Sequence, residues 1–153
     1  ANRNANDGIS LVQTSEGALN EVSAMLIRLR EPSIQASSDT IGDTERRFTD
    51  DEFQQFKSEI QRVAESTEFN DYSLLNGTGG IIEIQIGVNN EPFKDRIAFN
   101  AGAAATTLAS LGIIAETVQT KDEAQISLDA LDQAMVSVNA IRANFGALQN
   151  RLY

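Results

Sequence analysis

Between Val12 and Leu29 the apolar residues Val12, Leu19, Val22, Leu26 and Leu29 advance by steps of seven, three, four and three. That is the spacing of a coiled-coil seam. Glu16, Glu21, Arg28 and Arg30 fall off the stripe, so the pattern predicts an amphipathic helix over residues 1–35, clearest from residue 4. Pro32 interrupts it. An internal proline removes one backbone hydrogen bond and clashes with the preceding turn, so the helix is expected to end or kink near Glu31.

Residues 36–48 are polar, contain Gly42 and read as a surface loop. A second helix is expected over 49–67. Thr49 and Glu52 have capping-box spacing, Asp50 and Asp51 suit the positive end of the helix dipole, and Phe53, Phe56, Ile60 and Val63 form a seam. After the turn residues 76–80 the period changes to two. Ile82, Ile84, Ile86 and Val88 alternate with Glu83, Gln85 and Gly87, which predicts a half-buried strand. Asn89-Asn90-Glu91-Pro92 is turn chemistry, and Phe93, Ile97 and Phe99 would share one face of a partner strand, giving a hairpin over 81–99.

The Ala- and Gly-rich stretch 100–119 reads as a short helix or irregular packing. Thr120 and Glu123 form another capping-box pair, opening a final helix over 120–153. Its stripe (Leu128, Leu131, Met135, Val138, Ile141, Phe145, Leu148, Leu152) is wide enough to touch more than one neighbour. No repeat or linker divides the chain. The expected fold class is mainly α with a small β part: an elongated antiparallel helical bundle of two N-terminal helices and one long C-terminal helix, plus a β-hairpin, in a single domain over 1–153.

Composition narrows the function. The chain has 153 residues with no cysteine and no histidine, which removes the commonest metal ligands and nucleophile–base pairs. Its net charge of −10 repels nucleic-acid phosphates and anionic lipid headgroups. No apolar run approaches the length that spans a bilayer. The expectation is a protein without catalytic residues, metal or cofactor, and without nucleic acid or membrane as partner.

Local constellations support nothing sharper. Asp39, Asp43, Asp50, Asp51 and Glu52 could suggest calcium or paired catalytic carboxylates, but Gly42 is misplaced for a calcium loop and capping explains them better. Gly77, Gly79 and Gly80 lack the lysine a phosphate loop requires and read as turn residues. Arg28, Arg30, Arg46 and Arg47 read as surface salt-bridging residues along a rod.

Three stretches carry a family likeness. RNANDGISLVQTSEGALNEVSAMLIRLRE (3–31), EIQRVAESTEFND (59–71) with LLNGTGG (74–80), and LDALDQAMVSVNAIRANFGALQNRLY (128–153) resemble, in order and spacing, the rod domain of bacterial flagellins. The resemblance implies a structural subunit of the flagellar filament, outside the cell, whose partners are other flagellin subunits. It also implies that the family's inner-tube segments lie outside this chain and that outer domains are absent or small, so the piece would stay monomeric. The alternatives are a flagellin-like hook–filament junction protein and a surface module that captures a polysaccharide, for which Tyr72 and Tyr153 are the exposed aromatic candidates.

The same likeness implies a contact surface for the vertebrate toll-like receptor for flagellin. The family's contact arginine falls at Arg28 and its contact glutamate at Glu52, with Gln35 and Gln55 on the same surface. Pro32 stands where the family usually has leucine, which implies weakened or lost receptor binding. Phe145 replaces a usual leucine and should affect packing only.

Overall fold

A computed structural model describes residues 2–153, with side chains from Arg3; Ala1, included in the expected first helix, lies outside the described residues. Helix α1 runs Asn2–Ala36, a rod of about 50 Å at 1.5 Å per residue. Among its buried positions, Val12, Ser15, Leu19, Val22, Leu26, Leu29 and Ser33 form one stripe that alternates steps of three and four, with Leu11, Ala18, Ser23 and Ala36 buried beside it. Helix α2 (Asp43–Ser66) and helix α5 (Lys121–Leu152) both pack on α1. Arg142 meets Ser23, Arg30 meets Asp132 and Gln125 meets Ser37, so α5 runs antiparallel to α1. Its buried set (Ala124, Ser127, Leu131, Ala134, Val138, Ile141, Phe145) has the same three-four rhythm. Two matched seams of this kind interdigitate along their length, and each buried leucine or phenylalanine contributes about 1.5–3 kcal/mol. Met135, Leu148 and Leu152 are only half-buried at the seam's margin.

α1 does not stop near Glu31; it passes through Pro32 and ends at Ala36. Pro32 is buried, so packing against neighbouring elements holds the backbone helical at a site where propensity opposes it. Ser33 Oγ donates to Leu29 O at 2.9 Å and Ser37 Oγ to Ser33 O at 2.6 Å, adding side-chain donors just past the proline. The end is set by Arg46, which is buried: its Nε donates to Ala36 O at 2.8 Å and its guanidinium to Ser38 O at 2.7 Å, while Asp43 pairs with it at 2.8 Å. Far from being a surface bridge, Arg46 closes the turn between the two helices.

α2 likewise begins six residues earlier than Thr49, at Asp43. Thr49 is interior, and its hydroxyl donates to Glu45 O at 3.0 Å instead of capping the helix. Asp43 and Glu45 occupy the first turn, where carboxylates favour the dipole.

Beyond α2, strands β1 (Glu68–Phe69) and β2 (Tyr72–Ser73) form a minimal hairpin. Its two-residue turn, Asn70-Asp71, has φ of 48° and 67°, the left-handed pair required by a type I′ turn. Strands β3 (Ile81–Gln85) and β4 (Arg96–Asn100) pair antiparallel, with Ile82 opposite Phe99 and Ile84 opposite Ile97. Between them Pro92–Asp95 forms a helical turn, α3. Phe93 therefore leaves the expected strand face and stands 84% exposed, with Arg151 donating to its carbonyl at 3.0 Å. Phe99 and Phe145 meet at 4.8 Å between ring centroids and dock the hairpin on α5.

A 3₁₀ turn at Ala101–Ala103 and a single helical turn, α4 (Leu108–Leu111), fill the small-residue stretch. Thr107 caps α4, and Thr120 caps α5 by accepting the Glu123 N–H. The Glu123 side chain does not complete that box; it accepts from Thr117 Oγ1 at 2.6 Å.

Candidate functional site

α1 and α2 lie antiparallel with Arg28 beside Phe56, the guanidinium carbon 5.8 Å from the ring centroid. A shallow groove of about 420 Å³ opens between them, lined by Arg28, Glu31, Pro32, Gln35, Glu52 and Phe56. Four of the five sequence-predicted contact residues (Arg28, Pro32, Gln35, Glu52) thus share one groove, and Gln55 is exposed on α2 outside its lining.

The groove follows from helical spacing. Arg28, Pro32 and Gln35 sit four and three residues apart on one face of α1, and Glu52 and Phe56 four apart on α2. Arg28, Gln35 and Glu52 are exposed, whereas Pro32 is buried in the floor. Because Pro32 has no N–H, the Arg28 carbonyl loses its usual helical donor. Among the described residues no carboxylate forms a salt bridge with Arg28. The arrangement offers one guanidinium, two carboxylates, an amide and an aromatic edge. It suits a polar protein surface; it has no nucleophile–base pair.

The acidic residues weighed as a cluster have separate tasks. Asp39 pairs with Lys121 at 3.0 Å, Asp43 with Arg46, and Glu52 lines the groove. Asp50 is buried, 4% exposed, and its carboxylate accepts Val118 N–H at 3.0 Å, Gln119 Nε2 at 3.1 Å and Gln54 Nε2 at 3.1 Å. Two turns further along α2, buried Lys57 donates to Ile114 O at 2.9 Å and Glu116 O at 2.8 Å. Burial pulls its ammonium pKa below the ordinary 10.5, against the opposing pull of Asp50 and Glu116. Sequence reasoning missed this clasp. The signal available was a Lys at helical distance from Asp50 and on the Phe53 side of α2, where a solvated pair has no reason to sit.

Exposed apolar side chains recur along both long helices: Ile27 and Ile34 on α1, Ile126 and Val136 on α5, with Phe48 on α2. No helix is long and apolar enough to cross a membrane among the described residues.

Comparison with known proteins places these features. Residues 1–79 match the family model for the bacterial flagellin N-terminal helical region. A flagellin from Halalkalibacterium halodurans is 39% identical over 154 aligned residues, covering 99% of this chain and 55% of that protein. The chain therefore spans about half the length of that relative. The crystal structure of Bacillus cereus flagellin superposes with a TM-score of 0.86 at 32% identity, covering 99% of this chain and 85% of that one. A putative flagellar hook-associated protein from Vibrio parahaemolyticus reaches a TM-score of 0.73 at 15% identity, covering 98% of this chain and 79% of that one, a likeness of fold alone.

Proposed function

Since the chain belongs to the bacterial flagellin family, we propose that it is the rod-forming part of a structural subunit that assembles with other flagellin subunits into the flagellar filament, outside the cell. The observation that carries this reading is the match along nearly the whole chain to the Bacillus cereus flagellin structure, at an identity high enough to speak for more than the fold. The hook-associated likeness, at 15% identity, does not compete. Physical features agree with the role. Two long helices seamed on a third give a stiff rod, and Ile27, Ile34, Ile126 and Val136 point outward where a filament neighbour could cover them. Contacts that repeat without closing produce an open helical filament. A mechanical part of this kind needs no active site.

Replacing the matching part of the Halalkalibacterium halodurans flagellin with this chain, in cells lacking their own flagellin, tests the proposal. Filaments seen by electron microscopy, and swimming, are the expected result. A chimera found folded in the medium without filaments would overturn it.

A second reading rests on the groove that gathers Arg28, Pro32, Gln35 and Glu52. We propose that this is where the vertebrate toll-like receptor for flagellin would dock, and that binding is weakened. Pro32 offers a short, buried ring where a leucine would present apolar surface.

A further inference from the structure

The turn after Leu75 carries chemistry that the filament role does not use. Asn76 is followed by Gly77, and no other asparagine in the chain precedes a glycine. Gly77 is exposed and has φ of +88°, and without a Cβ it leaves its backbone nitrogen open to the neighbouring side chain. The Asn76 carbonyl Oδ1 accepts two hydrogen bonds from Thr78, from the backbone N–H at 3.0 Å and from the hydroxyl at 2.7 Å. The Asn76 amide nitrogen donates to nothing among the described residues.

We propose that Asn76-Gly77-Thr78 is a site of spontaneous backbone modification, in which Asn76 converts to aspartate and isoaspartate. The Gly77 nitrogen, deprotonated by a water-borne base, attacks Asn76 Cγ. Negative charge gathers on Oδ1, between the two Thr78 donors, which lie at the distances that stabilise an oxyanion. The Cγ–Nδ2 bond then breaks, ammonia leaves with a proton from water, and a five-membered imide joins residues 76 and 77. Water adds to either imide carbonyl. Addition at Cγ gives aspartate, and addition at the main-chain carbonyl gives isoaspartate, whose backbone runs through Cβ and Cγ. No oxidant or enzyme is required.

Neighbouring packing makes the second product consequential. Leu74 and Leu75 are fully buried, and Leu75 O accepts the Thr106 N–H at 2.9 Å. Gly79 packs so closely that a Cβ there would lie 2.1 Å from Ser73 O. An isoaspartate inserts an extra backbone carbon between these fixed points, so the turn must break its Leu75–Thr106 bond or lift Gly79 away. Both products add one negative charge to a chain already at −10. The inference stands independently of the filament reading.

The test is incubation of the intact folded chain at mildly alkaline pH, followed by peptide mapping with mass spectrometry and an isoaspartyl methyltransferase assay. The expected result is conversion confined to Asn76 while Asn20, Asn70 and Asn100 remain amides. Thr78→Val should slow it by up to roughly tenfold through loss of the hydroxyl donor, with Thr78→Ser restoring the rate. Circular dichroism of each variant shows whether the fold is kept. An Asn76 that stays intact in the folded chain but converts in urea would overturn the site. An unchanged rate in a folded Thr78→Val variant would overturn the role of Thr78.

Discussion

The carboxylate of Asp50 accepts the backbone N–H of Val118 at 3.0 Å across 68 positions of sequence. With Lys57 donating to the Ile114 and Glu116 carbonyls, it turns α2 into an anchor for the segment that leads into α5. Buried backbone groups outside regular structure need partners from elsewhere, and here two charged side chains supply them to Val118, Ile114 and Glu116.

Replacing Asp50 with Ala leaves the Val118 N–H and the Gln119 amide without their buried acceptor. The expected loss is roughly 2–3 kcal/mol, the scale for stranding buried groups bonded to a charge. Urea unfolding measures it, with Asp51→Ala, at an exposed neighbour, as a control expected within about 0.5 kcal/mol of the parent. Equal losses in the two variants would mean that the clasp adds nothing.

Lys57 gives the clasp a pH signature. Its folded pKa lies below the unfolded value because burial disfavours the ammonium. Between the folded pKa and 10.5 the unfolded chain holds more protons at this site, so its contribution to stability increases with pH there. The stability difference between the parent and Lys57→Met should therefore move in favour of the parent as pH rises toward 10.5. Chemical denaturation at a series of alkaline pH values reads the sign directly. A difference that moves the other way contradicts burial as the dominant cause.

Arg46 should be as costly to remove as its position suggests. It is 6% exposed and satisfies the carbonyl of Ala36, an orphan acceptor at the end of α1, and that of Ser38 in the turn beyond it. Arg46→Met keeps most of the volume and loses the donors, and a cost of roughly 2 kcal/mol is expected. Hydrogen exchange at residues 37–42 should accelerate more than exchange near Ile60. Uniform acceleration along the chain would show that the turn is not the part Arg46 holds.

These features mark the limit of what the sequence makes legible. The seams through Leu19, Val22, Leu26 and Leu29 and through Leu131, Val138 and Phe145 could be read because their periodicity is local and repeats. The strand pair was readable from Ile82, Ile84, Ile97 and Phe99 for the same reason. Thr49 and Glu52 misled because capping-box spacing also arises inside a helix, and the true start at Asp43 has no capping side chain. Phe93 has strand chemistry, but Pro92 starts a helical turn that carries it out of the sheet. The Asn70-Asp71 turn carries a local signal of its own, two residues that tolerate positive φ between Phe69 and Tyr72. The Asp50–Val118 and Arg46–Ala36 bonds could not be read at all, since nothing in either segment names its distant partner. The groove is intermediate. Its α1 face follows from helical spacing, whereas Glu52 and Phe56 join it only because α2 folds back antiparallel.

Phe99 and Phe145 should behave as a coupled pair. They are 6% and 1% exposed, with ring centroids 4.8 Å apart. Phe145→Ala is expected to cost about 3–5 kcal/mol. The double variant with Phe99→Ala should cost less than the sum by about 0.5–1.5 kcal/mol, the share owed to the aromatic contact. Strict additivity would mean that the hairpin docks on α5 through its aliphatic residues.

Pro32 separates the mechanical and recognition readings of the same position. Pro32→Leu restores an N–H for the Arg28 carbonyl and removes the ring clash, a gain bounded by the roughly 3 kcal/mol that an internal proline costs a helix. Because the site is buried, a leucine must also fit where the ring now sits, and overpacking costs about 1–3 kcal/mol. A net gain of about 1 kcal/mol in urea unfolding is therefore expected. If the groove is a receptor surface, the same variant should also bind the toll-like receptor ectodomain more tightly by surface plasmon resonance. Arg28→Ala in the Pro32→Leu background should then remove that gain, since Arg28 lines the same groove. Stability rising while receptor binding stays flat would leave Pro32 as a helix defect and remove the groove from the recognition account. Receptor binding that is already tight in the parent, and abolished by Arg28→Ala, would refute the weakening assigned to Pro32.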